Sequence, residues 1–239
     1  MSLEQVTILI TTFLRDGYLF DCLASIKENL PECSVVTIDD GYPSHEKNEL
    51  VTYLPFDSGL PAKRNEGARL TKTPYILMGC DDFDFSSKDV RDGIVRLVSI
   101  LDENPDIDVA GGRVNNNPYE GFLEIIPDIA IKETRLVPDG TKAFYKVDLT
   151  VNYFLARTSV ILDTPWDERM KIGGEHGDWF LELKEKNKHV VWVPGVIIHE
   201  LPFNQTKFHF DYSKYRGRAK DLGHKIFLQK RNVKDYWGF

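Results

Sequence analysis

The most constraining feature of this sequence is a rhythm in its first 110 residues, where short apolar runs alternate with helix-length segments. Val6–Thr12 is rich in β-branched residues and reads as a strand. Asp16–Asn29 then repeats Leu19, Cys22, Leu23 and Ile26 at helical spacing. Ser34–Ile38 is a second strand, stopped by the turn signal Asp39-Asp40-Gly41. Pro61–Leu70 reads as a helix opening on proline. Tyr75–Gly79 is a third strand and runs into Asp81-Asp82-Phe83-Asp84. Ser86 and Ser87 cap a helix through Leu101, whose apolar positions Val90, Ile94, Leu97, Val98 and Leu101 keep the helical period. Asp108–Val114 returns to strand. Strands alternating with helices predict an α/β fold with a mostly parallel central sheet flanked by helices. Ligands of such sheets bind beyond the carboxyl ends of the strands. Two of these strands end in acids, so the spacing predicts a polar site at Asp39–Asp40 and Asp81–Asp84.

The second half is less regular. Segments 119–137 and 142–157 read as strands with a long connection. Gly173-Gly174-Glu175-His176-Gly177-Asp178 is a glycine-rich approach to a helix over Trp179–Lys186. His189–Ile198 is an apolar strand ending at His199, and Phe210–Gln229 has helical character interrupted by Gly217 and Gly223. No Pro/Gly/Ser linker divides the chain, so residues 1–239 are expected to form one domain, large enough for a core without covalent staples.

Composition narrows the class further. Cys22, Cys33 and Cys80 lack CxxC spacing and leave one unpaired, which fits a reducing compartment. No apolar run reaches the roughly 18–20 residues of a membrane span. The N-terminus has neither the basic start nor the cleavage site of a signal peptide. These observations predict a soluble intracellular protein. The net charge is −7, yet Lys207–Lys234 carries nine Lys/Arg against two Asp, a local balance of +7 that leaves −14 for the rest. An acidic body with a basic tail suggests that the tail meets an anion, and a solvated helix face is the alternative reading.

Three groups of residues are candidates for chemistry. Carboxylates clustered at a strand end repel one another unless a cation or donors compensate, and Asp82-Phe83-Asp84 is a DxD tripeptide of the kind that hard divalent cations take. In the Gly174–Phe180 segment, one carboxylate can cap the helix or act as a general base toward a hydroxyl. His199, where a strand meets a loop, is either a structural hydrogen bonder or a further metal ligand. Cys80 has no histidine partner to make it a thiolate and reads as a strand-end core residue. Walker A, GxGxxG, GxSxG and HExxH motifs are absent, against the usual NTPases, dehydrogenases, hydrolases and zinc proteases.

In order, the chain presents Thr11-Thr12-Phe13-Leu14-Arg15, Asp39-Asp40, Arg64-Asn65, Asp81-Asp82-Phe83, Val151-Asn152-Tyr153-Phe154-Leu155-Ala156-Arg157-Thr158 and His176-Gly177-Asp178-Trp179-Phe180-Leu181. This set resembles the inverting, family 2-like GT-A glycosyltransferases, and within them the catalytic domain of the β-1,4-N-acetylgalactosaminyltransferases (GM2/GD2 synthase-like), over about residues 6–230. The resemblance implies a single GT-A domain, with a nucleotide-sugar half over about 1–115 and an acceptor half with the basic tail over about 116–239. It implies transfer of GalNAc or a related sugar from a UDP-sugar to a glycan hydroxyl. Thr11, Thr12, Arg15 and Asp39 would line the uridine pocket, with Arg64 near the nucleotide and Asp81 facing the ribose. Asp82, Asp84 and His199 would hold Mn²⁺ or Mg²⁺, Asp178 would be the catalytic base, and His176 and Trp179 would meet the acceptor. Lys214, Arg216, Arg218 and Lys220 would close over the diphosphate. The family's acid triplet is here Cys80-Asp81-Asp82, its first acid missing and Asp84 added downstream. Without the membrane anchor of eukaryotic members, a cytoplasmic bacterial or viral enzyme is expected. Two other readings stay open: a glycosyltransferase acting on hydroxymethylated bases of phage DNA, motivated by the +7 tail, and a non-catalytic nucleotide-sugar or carbohydrate-binding module, motivated by the altered triplet.

Overall fold

The computed structural model describes residues 3–41, 49–117 and 119–237, without the side chains of 217–220. The first half forms β1 (Val6–Thr12), α1 (Asp16–Asn29), β2 (Ser34–Asp39), β3 (Val51–Tyr53), α2 (Leu60–Leu70), β4 (Tyr75–Cys80), a short β5 (Phe83–Asp84), α3 (Lys88–Glu103) and β6 (Val109–Val114), which is the expected alternation with β3 and β5 added. Strands β3, β2, β1 and β4 lie side by side and parallel. Every residue of β1 is buried, as a strand covered by helices on both faces requires. Its two-residue period divides the core. Ile8 and Ile10 pack with Leu19 and Leu97 from α1 and α3, whereas Leu9 joins Ala68 of α2 on the opposite face. Ser87 caps α3 by accepting the Val90 N–H at 3.2 Å.

The second half contributes β7 (Gly121–Ile126), β8 (Ala130–Arg135), β9 (Tyr145–Val147), β10 (Phe154–Arg157), α4 (Thr158–Asp163), α5 (Glu175–Glu185), β11 (Val190–Glu200), α6 (Tyr212–Arg231) and β12 (Asp235–Trp237). Strand β10 inserts antiparallel between β4 and β6, and β11 runs parallel to β6 while pairing antiparallel with β5 and β9. The segment 119–137 departs from the expected extended pair: it folds on itself as the β7–β8 hairpin, turning at Asp128 with φ 60°, and joins β12 in a separate three-stranded sheet. Helix α6 is continuous through Gly223. A Cβ there would fall 2.1 Å from the Ile172 carbonyl oxygen, so glycine allows the helix to press against the loop before α5. Among the described residues no helix is long and apolar enough to cross a membrane.

Candidate active site

Parallel pairing sets the ends of β1 and β4 side by side, with Thr11 opposite Cys80. Thr12 Oγ1 donates to Asp81 Oδ2 at 2.6 Å, and Arg15 Nε reaches the same oxygen at 3.1 Å. The Arg15 guanidinium also pairs with Asp81 Oδ1 and lies 2.8 Å from Asp82 Oδ2. Asp81 is completely buried, which pushes its carboxyl up against the pull of Arg15 and Thr12. Arg15 and Thr12 therefore enclose Asp81, leaving Asp82 half-buried toward the cavity.

That cavity, of about 250 Å³, lies beyond the strand ends, where the sheet topology places it. Thr11, Thr12, Arg15, Asp81 and Asp82 line it together with Asp40, Lys63 and Asn152, and α6 closes it with Tyr212, Tyr215 and Arg216. Asp39 lies behind this wall. Its Oδ1 accepts the Gly41 N–H at 2.8 Å, and burial pushes its carboxyl up to about 6. The neighbouring Asp40 lines the cavity instead: it pairs with the buried Lys63 and accepts the Gly59 N–H at 2.6 Å. Lys63, one residue before the expected Arg64, also donates to the Thr12 carbonyl at 2.8 Å. Phe13, Phe56 and Tyr215 form a ring cluster at this wall, with Phe56 and Tyr215 centroids 5.0 Å apart. Arg64 is behind the lining, its Nη2 donating to Asn152 Oδ1 at 2.8 Å and its guanidinium 5.2 Å from the Trp166 ring. Among the described residues, Nε and Nη1 of Arg64 have no hydrogen-bond partner, and burial pushes its pKa down.

The three expected metal ligands are not brought together. Asp84 Oδ1 accepts the Ser86 N–H at 2.9 Å in its own turn. His199 lies opposite Asp84 in the β5–β11 pair, exposed, with Nδ1 3.2 Å from Asn115 Oδ1. Among the described residues no three His, Cys, Asp or Glu side chains gather at metal-binding spacing. Asp82, Asp84 and His199 as arranged do not fit one coordination shell. Glu200, rather than Asp84 or His199, lines the cavity with Asp82, its carboxyl pushed up by burial and by the charge of Asp82.

The loop before α5 changes the expected roles most. Gly173 and Gly174 adopt φ 86° and 91°, values that glycine tolerates. The turn they make starts α5 at Glu175, four residues before the expected Trp179. Asp178 is then carried into the helix body and buried against α6, its Oδ2 2.8 Å from Lys230 Nζ and its Oδ1 2.6 Å from Arg231 Nη2. It does not line the cavity. Trp179 is a core residue, stacked between Trp166 (4.4 Å) and Phe154 (5.4 Å), with Nε1 donating to the Thr164 carbonyl at 2.7 Å. Glu175 takes the first position of the helix. It is buried, its Oε2 has no hydrogen-bond partner among the described residues, and burial pushes its carboxyl up while Arg64 pulls it back.

Glu175 and His176 line a second cavity of about 290 Å³, which shares Ile172 and Arg216 with the first. His176 Nε2 is 2.6 Å from the Thr150 carbonyl oxygen, which can only accept, so this nitrogen carries the proton. Burial pushes the imidazole down to about 3 and holds it neutral. Nδ1 is then an acceptor, and it has no partner among the described residues. In the basic tail, Lys207 pairs with Asp21, Lys214 lies 3.9 Å from Asp211, and Lys230 and Arg231 hold α5. Arg216 alone of the four expected tail contacts is seen at the cavity; the side chains of Arg218 and Lys220 lie outside the described residues.

No family model matches the chain. It is 31% identical over 240 residues to β-1,4 N-acetylgalactosaminyltransferase 2 of Mus musculus, covering 94% of this chain and 46% of that protein. It is also 31% identical over 195 residues to β-1,4 N-acetylgalactosaminyltransferase 1 of Homo sapiens, covering 74% of this chain and 35% of that protein. The chain thus spans less than half the length of these relatives. Among solved structures, GalNAc-T7 with UDP, GalNAc and Mn²⁺ superposes at a TM-score of 0.67 with 14% identity, over 96% of this chain and 55% of that one. S. aureus TarS 1–349 superposes at 0.55 with 15% identity, over 82% and 60%. The chain therefore has the GT-A glycosyltransferase fold and is a relative of the β-1,4 N-acetylgalactosaminyltransferases.

Proposed function

We propose that the chain transfers a sugar, GalNAc or a close relative, from a UDP-sugar to a glycan hydroxyl with inversion, and that Glu175 is the general base. The observation that carries this reading is the meeting of two cavities at Ile172 and Arg216, with Glu175 on the wall of the second. The first cavity suits the donor. Its Lys63, Arg15 and Arg216 supply cations for a diphosphate, and the ring cluster of Phe13 and Tyr215 supplies a face for a planar base.

In the reaction the acceptor oxygen attacks the anomeric carbon from the face opposite the diphosphate. The carbon–oxygen bond to UDP breaks, UDP leaves with the bonding pair, and the acceptor proton passes to a Glu175 oxygen. Arg15, Lys63 and Arg216 oppose the charge that grows on the leaving diphosphate. Glu175 suits the base role because Oε2 is unpartnered, whereas both Asp178 oxygens are held by cations. The raised carboxyl of Glu175 also strengthens it as a proton acceptor. The basic tail no longer favours a DNA acceptor, since Lys207, Lys230 and Arg231 bind acids of the protein itself.

The test is turnover of UDP-GalNAc with a panel of glycans, read as UDP release and as the anomeric configuration of the product by NMR. A β-linked product supports the assignment. Lack of UDP release with every acceptor, or an α-linked product, overturns it.

A further inference from the structure

The loop of residues 171–174 carries the chain from the donor cavity into α5, and two other elements grip it. Lys171 and Ile172 line the first cavity, while Ile172, Gly173 and Gly174 line the second. On one side stands the turn before α2. Helix α2 opens without a side-chain cap, and the N–H of Leu60, its first residue, donates instead to the Lys171 carbonyl at 2.7 Å. Gly59, at φ 98°, permits this approach: a Cβ there would fall 2.6 Å from Lys171 Cα. The Lys171 side chain ties down the same turn, Nζ donating to the Asp57 carbonyl and, at 2.8 Å, to Asp57 Oδ2. Asp57 holds φ 58° and gives its own N–H to the Asp40 carbonyl at 2.9 Å. Since Asp40 also accepts the Gly59 N–H and pairs with Lys63, the turn belongs to the donor wall. On the other side α6 presses on the loop, where a Cβ on Gly223 would fall 2.4 Å from the Gly173 carbonyl oxygen.

We propose that Lys171 is a positioning residue: held by Asp57 on the donor wall, it fixes the loop that delivers Glu175 to the reaction. This rests on the base role given to Glu175 above. Between Lys171 and Glu175 stand Ile172 and two glycines at positive φ, Gly173 and Gly174. Glycines restrain the backbone least, so the aim of the first residue of α5 depends on where the loop is anchored. The Asp57–Lys171 pair is partly exposed, with side chains 31% and 39% accessible. Pairs in such a setting contribute little to stability. Its effect falls on geometry instead, where a displacement of about 1 Å costs up to roughly 10²-fold in rate.

The experiment compares Lys171→Met, Lys171→Arg, Asp57→Asn and the double variant Lys171→Met/Asp57→Asn with the wild-type chain and with Glu175→Gln. Asparagine tolerates the positive φ of residue 57, so Asp57→Asn removes the charge and leaves the turn. With UDP-GalNAc and the best acceptor of the glycan panel, kcat should fall about tenfold in Lys171→Met and about threefold or more in Asp57→Asn. The double variant should be no slower than Lys171→Met, because the two residues act as one unit. Lys171→Arg, which keeps the pair, should recover most of the loss. The Kd of UDP-GalNAc by calorimetry should stay within about threefold, and Tm within about 3 °C. Amide hydrogen exchange across residues 171–178, followed by mass spectrometry, should quicken about tenfold in Lys171→Met. Unchanged kcat in Lys171→Met, a Kd raised tenfold with kcat unaltered, or unchanged exchange overturns the positioning role. Full turnover by Glu175→Gln, or no turnover by the wild-type chain, overturns the proposed function instead, and the exchange rates then decide by themselves whether the pair holds the loop.

Discussion

The guanidinium of Arg231 lies 2.6 Å from the carboxylate of Asp178, and this buried pair fastens α6 to α5. Removing one member of such a pair strands a charge. Asp178→Ala is expected to destabilise the fold by about 3 kcal/mol, which lowers Tm by roughly 6–12 °C for a chain of this size. Thermal unfolding measures this. In the same variant, assayed well below its Tm, UDP affinity should stay near wild type, because Asp178 does not line the donor cavity. An unchanged Tm with lost turnover would return the base role to Asp178.

Glu175→Gln should lower turnover by about 10²–10⁴-fold, the usual contribution of a general base. UDP affinity, measured by calorimetry, should hold within about threefold. The stability change runs the other way. A carboxyl raised by burial keeps its proton in the fold at pH values where the unfolded chain has released it, so ionisation weakens the fold as pH rises through the folded value. The glutamine variant should therefore melt no lower than wild type at pH 7. A large loss of stability would contradict the unpartnered state of Glu175.

Turnover should fall as pH drops through the folded pKa of Glu175, because the base must be ionised. That limb should lie above the ordinary glutamate range, since burial is the leading cause of the shift. The pH profile of kcat measures it, and a limb at or below the ordinary value would remove Glu175 from the role.

Asp39 gives a separate pH signature. Burial pushes its carboxyl from 3.8 up to about 6. Between these values the folded chain binds a proton that the unfolded chain has lost, so this residue makes stability fall as pH rises across the window. Asp39→Asn should flatten that slope and melt higher than wild type above pH about 6. Parallel Tm curves for the two proteins from pH 4 to 7 would sink the assignment.

Arg15 binds Asp81 and Asp82 at once. Arg15→Met leaves Asp81 buried without a cation and should cost about 3 kcal/mol, read from urea midpoints. Adding Asp81→Leu should restore part of that stability, since the stranded charge is gone. Independent, additive losses would show that the pair is not coupled.

The alternating first half was legible because a parallel sheet writes itself locally: β-branched runs, helical periods and a serine cap predict β1, α1, β4 and α3 within a residue or two. Thr12, Arg15, Asp81 and Asp82 were legible for the same reason, as they stand where two adjacent strands end. Asp40 was legible as one of the acids ending β2, but the pocket lining was assigned to Asp39, and Lys63 was missed beside Arg64, because one step along the chain changes which residue faces the cavity. The local sequence hid the start of α5. Two acids three residues apart both suit a helix start, and the positive φ of Gly174, which decides between them, arises where α6 packs on the loop. Trp179 was misplaced because its partners Trp166 and Phe154 are remote in sequence.

Arg216 lines both cavities, and under the proposed function it belongs to both binding equilibria. A diphosphate that draws this charge to one side alters the field around Glu175 on the other. Thermodynamic linkage makes such an influence reciprocal: whatever factor the donor imposes on acceptor affinity, the acceptor imposes on the donor. The affinities of the two substrates are then coupled through one shared side chain, without any motion of the sheet beneath.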